Sequence, residues 1–175
     1  PTVEAVHLIL ERLTREGYRF VTLPELVRQA GPPLAEFANG VRLLGLHLQA
    51  AQANRPGDTR YLRYFWELPA GARPECARAF VHFESADGFR FQDDHDLPPR
   101  GDVRDLPLEQ VLVIPENAPA GSYQALIGLF DPDRPEVKYR VPVRAAAQRR
   151  NAMLIPDFME ISNPGRAAKL PADGN

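Results

Sequence analysis

The sequence contains a single cysteine, Cys76, in 175 residues. One thiol cannot close an internal disulfide, and it excludes any metal site built from several cysteine ligands. No apolar run approaches the ~20 residues that a membrane-spanning helix needs. Neither sign of charge dominates: the formal net charge is −2 and the pI is near 6.1. No broad basic field is therefore present to draw nucleic acid or an anionic membrane surface, and neither nucleic-acid binding nor membrane insertion is expected. Phosphate-cradling glycine loops, dinucleotide fingerprints and nucleophile elbows are all missing. No motif calls for a cofactor. A signal peptide is not visible either, but with Pro1 as the first residue that absence excludes nothing.

What the chain does have is proline, 18 residues of it, together with 44% apolar and 25% charged residues. That balance belongs to a globular protein with many turns and short strands rather than a helical bundle. The length suits one domain, or one domain and the remnant of another.

The first segment reads as helix. Val3, Val6, Leu10 and Leu13 recur at helical spacing, Glu4 suits the first turn, and Gly17 ends the run. Tyr18–Leu23 then alternates as a short strand, and a second helix is expected from Pro24 to Ala30 before Gly31-Pro32-Pro33 breaks it.

From Gly40 onward the period changes to two. Leu62, Tyr64, Trp66 and Leu68 share one face; Ala79, Val81 and Phe83 oppose Phe80, His82 and Glu84. Tyr123, Ala125, Ile127 and Leu129 line up, and Val137, Tyr139, Val141 and Val143 oppose Lys138, Arg140 and Arg144. Such alternation marks antiparallel strands with one face on a core. Turn signals separate them at Arg55–Asp58, Ala86–Gly88, Ala118–Gly121 and Asp131–Asp133, with Asp87-Gly88 a hairpin candidate. Pro142 places the last clear strand at an edge. The stretch Met153–Ile161 is apolar enough to dock on something, and the residues after it read as disordered.

Two stretches resemble known families. PTVEAVHLILERLTREGYRFVTLPELV, and GYRFVTLPEL (Gly17–Leu26) most specifically, resembles the C-terminal end of polysaccharide deacetylase catalytic domains, which are distorted (β/α) barrels. The metal-binding Asp and His motifs of that family are not in this chain, so the resemblance implies a C-terminal piece without its active site. From Phe37 to Pro132 the pieces RPGD, FVHFESADG, FQDDHDLP, VLVIPENAPAGSY and GLFDP follow in an order similar to a β-sandwich module on some such deacetylases and on membrane glycosyltransferases. A tryptophan that commonly follows the Q-D-H-P loop of that module is absent from GDVRDLP.

The expected fold is therefore mainly β, an immunoglobulin-like antiparallel β-sandwich preceded by a helix–strand–helix remnant. The expected divisions are 1–36 for the remnant of a deacetylase-like domain, 37–147 for the sandwich, and 148–175 for a partly disordered tail. The remnant's apolar helix face should pack on the sandwich, since apolar surface is costly to leave in water.

The most chemically suggestive stretch is FQDDHDLPP, Phe91–Pro99, where Asp93, Asp94 and Asp96 surround His95. Consecutive residues of an extended chain point to alternate sides, so the four converge only across a sharp turn. The spacing is neither that of an EF-hand loop nor that of a zinc site. The plain reading is a structural loop, with Asp94 capping a turn and His95 packed over a neighbouring strand. A bound cation and a carbohydrate contact are the sharper alternatives. His82 reads as a packed or solvated strand residue, or as a partner of His95 and a carboxylate. His7 and His47 belong to no motif, and Cys76 reads as a bystander thiol.

Tyr64 and Trp66 share their face with leucines and read as core. Phe65, Tyr61, Phe80 and Phe89 remain for an exposed aromatic patch that could stack on sugar rings, cover a second sheet or dock the remnant. The candidate ligand-binding residues are thus Phe65, Phe80, His82, Asp94 and His95; no catalytic or metal-binding residue is assigned. Arg140, Arg144, Arg149 and Arg150 make a locally basic region, either a solvated face or an attraction for acidic polysaccharide.

The resulting expectation is a non-catalytic accessory module of a polysaccharide-modifying protein, binding glycan or orienting the missing catalytic domain; the resemblance favours the cell envelope or exterior. The alternatives are a protein-interaction module that binds no sugar, and an enzyme fragment contributing a metal site through Asp94 and His95.

Overall fold

The computed structural model of this chain describes residues 2–21, 26, 31–51, 53–68, 71, 78–98, 107–131 and 140–162. In chain order the elements are α1 (Thr2–Arg15), β1 (Ala35–Phe37), β2 (Arg42–Leu48), β3 (Thr59–Glu67), β4 (Arg78–Ser85), β5 (Arg90–Gln92), β6 (His95–Asp96), β7 (Leu108–Val113), β8 (Gly121–Phe130), β9 (Val143–Ala145), β10 (Gln148–Arg149) and β11 (Ala152–Ile161). The strands form two antiparallel sheets. One has the order β7-β3-β2-β1-β9; the other has the order β10-β11-β8-β4-β5, with β6 also paired to β4.

Period-two patterning explains which side chains meet. Leu62, Tyr64 and Trp66 on β3 project to one side, as do Val81 and Phe83 on β4 and Tyr123, Ala125, Ile127 and Leu129 on β8. These rows from both sheets join one continuous buried cluster. Burying side chains the size of Phe83 or Ile127 contributes about 1.5–3 kcal/mol each, so this shared core dominates stability.

The turns obey their local chemistry. Gly88 N–H donates to Ser85 O and Ser85 N–H to Phe89 O, closing the β4–β5 hairpin with Gly88 at φ 88°. Asp58 N–H donates to Arg55 O, while the Asp58 carboxylate accepts from Arg55 N–H at 2.9 Å. At the entrance to β8, the Tyr123 hydroxyl donates to Pro119 O at 2.9 Å. α1 ends as expected: Tyr18 N–H reaches Leu13 O, Gly17 N–H reaches Thr14 O, and Gly17 takes φ 89°.

Several expectations need correction. The stretch expected as a strand from Tyr18 is not strand over residues 18–21, where no neighbouring strand pairs with it; Thr22 and Leu23 lie outside the described residues. The expected helix from Pro24 also lies outside them, except Leu26, which is helical. The apolar face of α1 does not pack on the sheets: Val3 is 84% exposed and Val6 51%.

The sheets also extend past the expected boundaries at residues 37 and 147. Ala35 and Glu36 pair within the first sheet, and β10 and β11 belong to the second. β11 lies between β10 and β8 and buries Met153, Met159 and Ile161. Its Pro156 is tolerated because the β11–β8 register shifts between Ile155 and Met159, a bulge where a ladder donor is not required. Pro142 precedes β9, the edge strand of its sheet, and is not itself in a strand; the strand expected to contain it is not formed at Val141 and Pro142. Val137–Tyr139, Cys76 and residues 163–175 lie outside the described residues.

β11 supplies a whole ladder and three large buried apolar side chains. Each such truncation costs about 2–5 kcal/mol, against a typical total stability of roughly 5–15 kcal/mol. A chain ending at Ala147 should therefore lose its cooperative thermal transition, as followed by circular dichroism; a truncated chain that still melts cooperatively would show β11 to be an appendage.

Candidate functional site: a cleft on the outer face of the second sheet

The outer faces of the two sheets differ in chemistry. The first is laced with ion pairs: Arg42 to Glu67 at 3.0 Å and Arg63 to Glu109 at 2.8 Å. The exposed side chains of Tyr61, Val111 and Val113 stand on this same face beside the ion pairs. The second carries its own apolar cluster, Phe80, Leu126 and Ala152, flanked by Phe130 and Leu154. A sheet that is apolar on both faces has something to cover or to bind there.

The arrangement follows from residue order on β4. Because Ala79, Val81 and Phe83 face the core, Phe80 and His82 must face away. The Phe80 ring packs against Gly128 of β8; a Cβ at that position would fall 2.3 Å from its Cζ, so only glycine lets the ring lie this close to the strand. The guanidinium of Arg140 covers the ring, 4.6 Å from its centroid, and donates to Arg150 O at 3.2 Å. The imidazole of His82 stands 5.1 Å from the Phe80 ring.

Beside them opens a cleft of about 320 Å³, lined by Phe80, His82, Arg90, Gln92, Asp94, Phe130 and Arg140. Ligand-sized clefts run from roughly 300 to 1,000 Å³, so it is a small one. Its lining combines two aromatic side chains with planar polar groups. His82 Nε2 lies 3.8 Å from Asp94 Oδ1. Burial holds the His82 imidazole below its ordinary pKa; Asp94 pulls it up, and the positive charges of Arg90 and Arg140 push it down. The cleft thus sets the side chains of Arg90, Arg140 and Asp94 around an imidazole that burial keeps neutral at pH 7.

The FQDDHDLPP segment is split by alternation between the two sides of the sheet. Asp93 and His95 turn inward. The Tyr64 hydroxyl donates to Asp93 Oδ2 at 2.8 Å, and His95 Nδ1 lies 2.9 Å from Asp93 O. The imidazole of His95 packs on Tyr64 at 4.5 Å between ring centres. Asp94 and Asp96 turn outward. Asp94 Oδ1 accepts from Val81 N–H at 3.1 Å, and Asp96 pairs with Arg78 at 2.7 Å.

Burial dominates the electrostatics of the inward pair. It raises the Asp93 carboxyl, although the Tyr64 hydrogen bond opposes this, and it raises the Tyr64 phenol. It lowers His95, against the pull of the Asp93 carbonyl and carboxylate. His95 is therefore a neutral core side chain at pH 7, with Nδ1 able to donate to the Asp93 carbonyl.

Of the five candidates read from the sequence, the fold brings Phe80, His82 and Asp94 into one cleft. Two expectations are corrected. Phe65 lies on β3 opposite Gly45 of β2, in the other sheet, and shares no patch with Phe80. His95 is 5% exposed and belongs to the core because residue parity from Asp94 points it inward. Asp94 and His95 therefore diverge, and no three His, Cys, Asp or Glu side chains cluster as a metal site among the described residues. The expected aromatic patch of Tyr61, Phe65, Phe80 and Phe89 is split: Tyr61 is exposed on the face of β3 that also holds Phe65, whereas Phe80 is buried under Arg140 and Phe130, and Phe89 packs on Tyr123. Sequence reasoning missed Gln92, Arg90 and Phe130 as cleft residues. The signal for the first two was present, since Arg90 and Gln92 flank the core residue Phe91 and must point outward.

Buried histidines tie stability to pH. His82 and His95 have folded-state pKa values below the ordinary 6.5. The unfolded chain therefore takes up protons first as pH falls, and stability should decline from about pH 6.5 downward through the lower folded values. Asp93, raised from 3.8, acts in the opposite sense: its contribution is full below 3.8 and is lost as pH rises through its folded value. Scanning calorimetry from pH 7.5 to 5.5 should show a falling melting temperature. His95→Asn keeps a donor near the Asp93 carbonyl but cannot titrate, and should shrink the fall; a variant with the full wild-type fall would clear His95 of the role.

Comparison of this chain with protein-family models, with curated proteins and with solved structures finds no match in any of the three.

Proposed function

We propose that this chain is a non-catalytic, glycan-binding accessory domain of a polysaccharide-modifying protein, with the outer-face cleft as its sugar site. The observation that carries the reading is the composition of the cleft, in which the half-buried Phe130 and the edge of Phe80 share the lining with the planar polar groups of Gln92, Asp94, His82 and Arg90. Sugar rings present apolar C–H faces and equatorial hydroxyls, and a lining of aromatic and planar polar side chains suits both. We take the two sheets as an immunoglobulin-like sandwich. Their joint core supports this, as does the Tyr123 hydroxyl bonded back to Pro119 O, which resembles the tyrosine corner of such domains. The divergence of Asp94 and His95 supports a binding role over a metal-dependent reaction. The deacetylase context rests on the resemblance of Gly17–Leu26 and implies a leucine–histidine pair ahead of Pro1 in the full protein.

A second reading, a protein-interaction module, is favoured by one observation. β7 is an edge strand whose Val111 and Val113 are 55% and 59% exposed beside the exposed Tyr61. Exposed apolar edges invite pairing with another chain.

Affinity electrophoresis through gels containing neutral and acidic polysaccharides separates the two. Retardation is expected, and Gln92→Ala should weaken it roughly threefold to tenfold, the range for one lost hydrogen bond. No retardation by any polysaccharide, together with concentration-dependent sedimentation abolished by Val111→Lys, would replace the glycan reading with the interaction one.

A further inference from the structure

The charges of the cleft narrow the class of sugar. Among the described residues, the acids and bases around the rim are mostly spent on each other: Glu84 is held by Arg149, and Asp96 by Arg78. Two guanidinium groups, those of Arg90 and Arg140, face the cleft against the single carboxylate of Asp94. Asp94 has already committed Oδ1 to the Val81 amide. Arg140 is held in place by Phe80 beneath it and by its bond to Arg150 O, so its position is fixed before any ligand arrives. Its remaining N–H donors are free of that bond, since a guanidinium has five. Arg90 stands on the neighbouring strand β5, on the far side of His82, and both arginines act on that imidazole electrostatically. Two donors of this kind in the lining of one small cleft suit a planar anion, which accepts paired N–H bonds from guanidinium.

We propose that the cleft selects sugars bearing a carboxylate, uronic acid residues of an acidic polysaccharide, with Arg90 and Arg140 gripping the carboxylate while Gln92 and Asp94 bond ring hydroxyls. This rests on the glycan-binding reading of the same cleft and adds the charge class to it. The whole chain is slightly acidic, with a formal net charge of −2, so bulk attraction to a polyanion does not account for such binding.

The test uses the full chain and two polymers with one backbone: polygalacturonate and its fully methyl-esterified form, in which the hydroxyls are unchanged and the carboxylates are masked. Alginate and hyaluronan serve as further carboxylated probes, and dextran as a neutral one. Retardation by the carboxylated polymers, at least tenfold weaker with the esterified one, is the expected result. Arg90→Glu should abolish it, with the melting temperature recorded to show that the exposed substitution leaves the fold intact. Arg144→Glu, on β9 of the other sheet, should leave it unchanged.

Equal retardation by the esterified and free polymers, or by dextran, overturns the carboxylate assignment and leaves the glycan reading standing. Retardation that survives Arg90→Glu but is lost with Arg144→Glu places the anion elsewhere and overturns the assignment as well. No retardation by any of the polymers overturns both.

Discussion

The structure depends on one strand having to serve two faces. β4 is paired on both sides, to β8 and to β5 and β6, and it carries large side chains toward both sides of its sheet. Val81 and Phe83 fill the space between the sheets, and strand parity then sends Phe80 and His82 outward. A register slip of one residue would exchange these rows and put His82 and Glu84 into the core, at a cost far above the marginal stability of a domain this size. The core therefore fixes the cleft: the same packing that holds Val81 inward holds Phe80 and His82 in place on the other side.

The segment Asp93–Asp96 couples the two. Its inward residues tie the sheets together, Asp93 through the Tyr64 hydroxyl and His95 through its contact with the Tyr64 ring. Hydrogen bonds to a charged partner contribute about 1.5–3 kcal/mol, but here they offset the cost of burying a carboxylate, and the net gain is positional more than energetic. Its outward residue Asp94 is locked to the Val81 amide and stands at the edge of the cleft. Rigid placement of polar groups before a ligand binds is what lets a small cleft discriminate, because less side-chain freedom is lost on binding.

Much of the fold was legible in the residues. The rows Leu62–Tyr64–Trp66, Ala79–Val81–Phe83 and Tyr123–Ala125–Ile127–Leu129 are inward as their alternation demands, and Asp87-Gly88 makes its hairpin. The packing half of the interpretation of FQDDHDLPP agrees with the geometry, since His95 packs against rings, but Asp94 accepts the N–H of Val81 on β4 instead of capping a turn. Failure came where alternation breaks. β11 contains Pro156 and a bulge, so its period-two signal is interrupted, and a strand running beside β8 looked like a docking tail. At α1 the amphipathic pattern is real, but a pattern names an apolar face without saying what covers it.

By itself, the sequence determined which side of each strand a residue occupies, because that follows from backbone geometry and needs no partner. It could not determine which strands lie side by side. That choice depends on register and on chain segments far apart in number, such as β4 with β8 or β9 with β1. Only the tertiary structure therefore put Phe65 and Phe80 on different sheets, joined Arg140 to Phe80 across sixty positions of chain, and sent His95 to the core and Asp94 to the cleft. Side-chain parity is a local property of an extended backbone, whereas convergence into a site is a property of strand pairing.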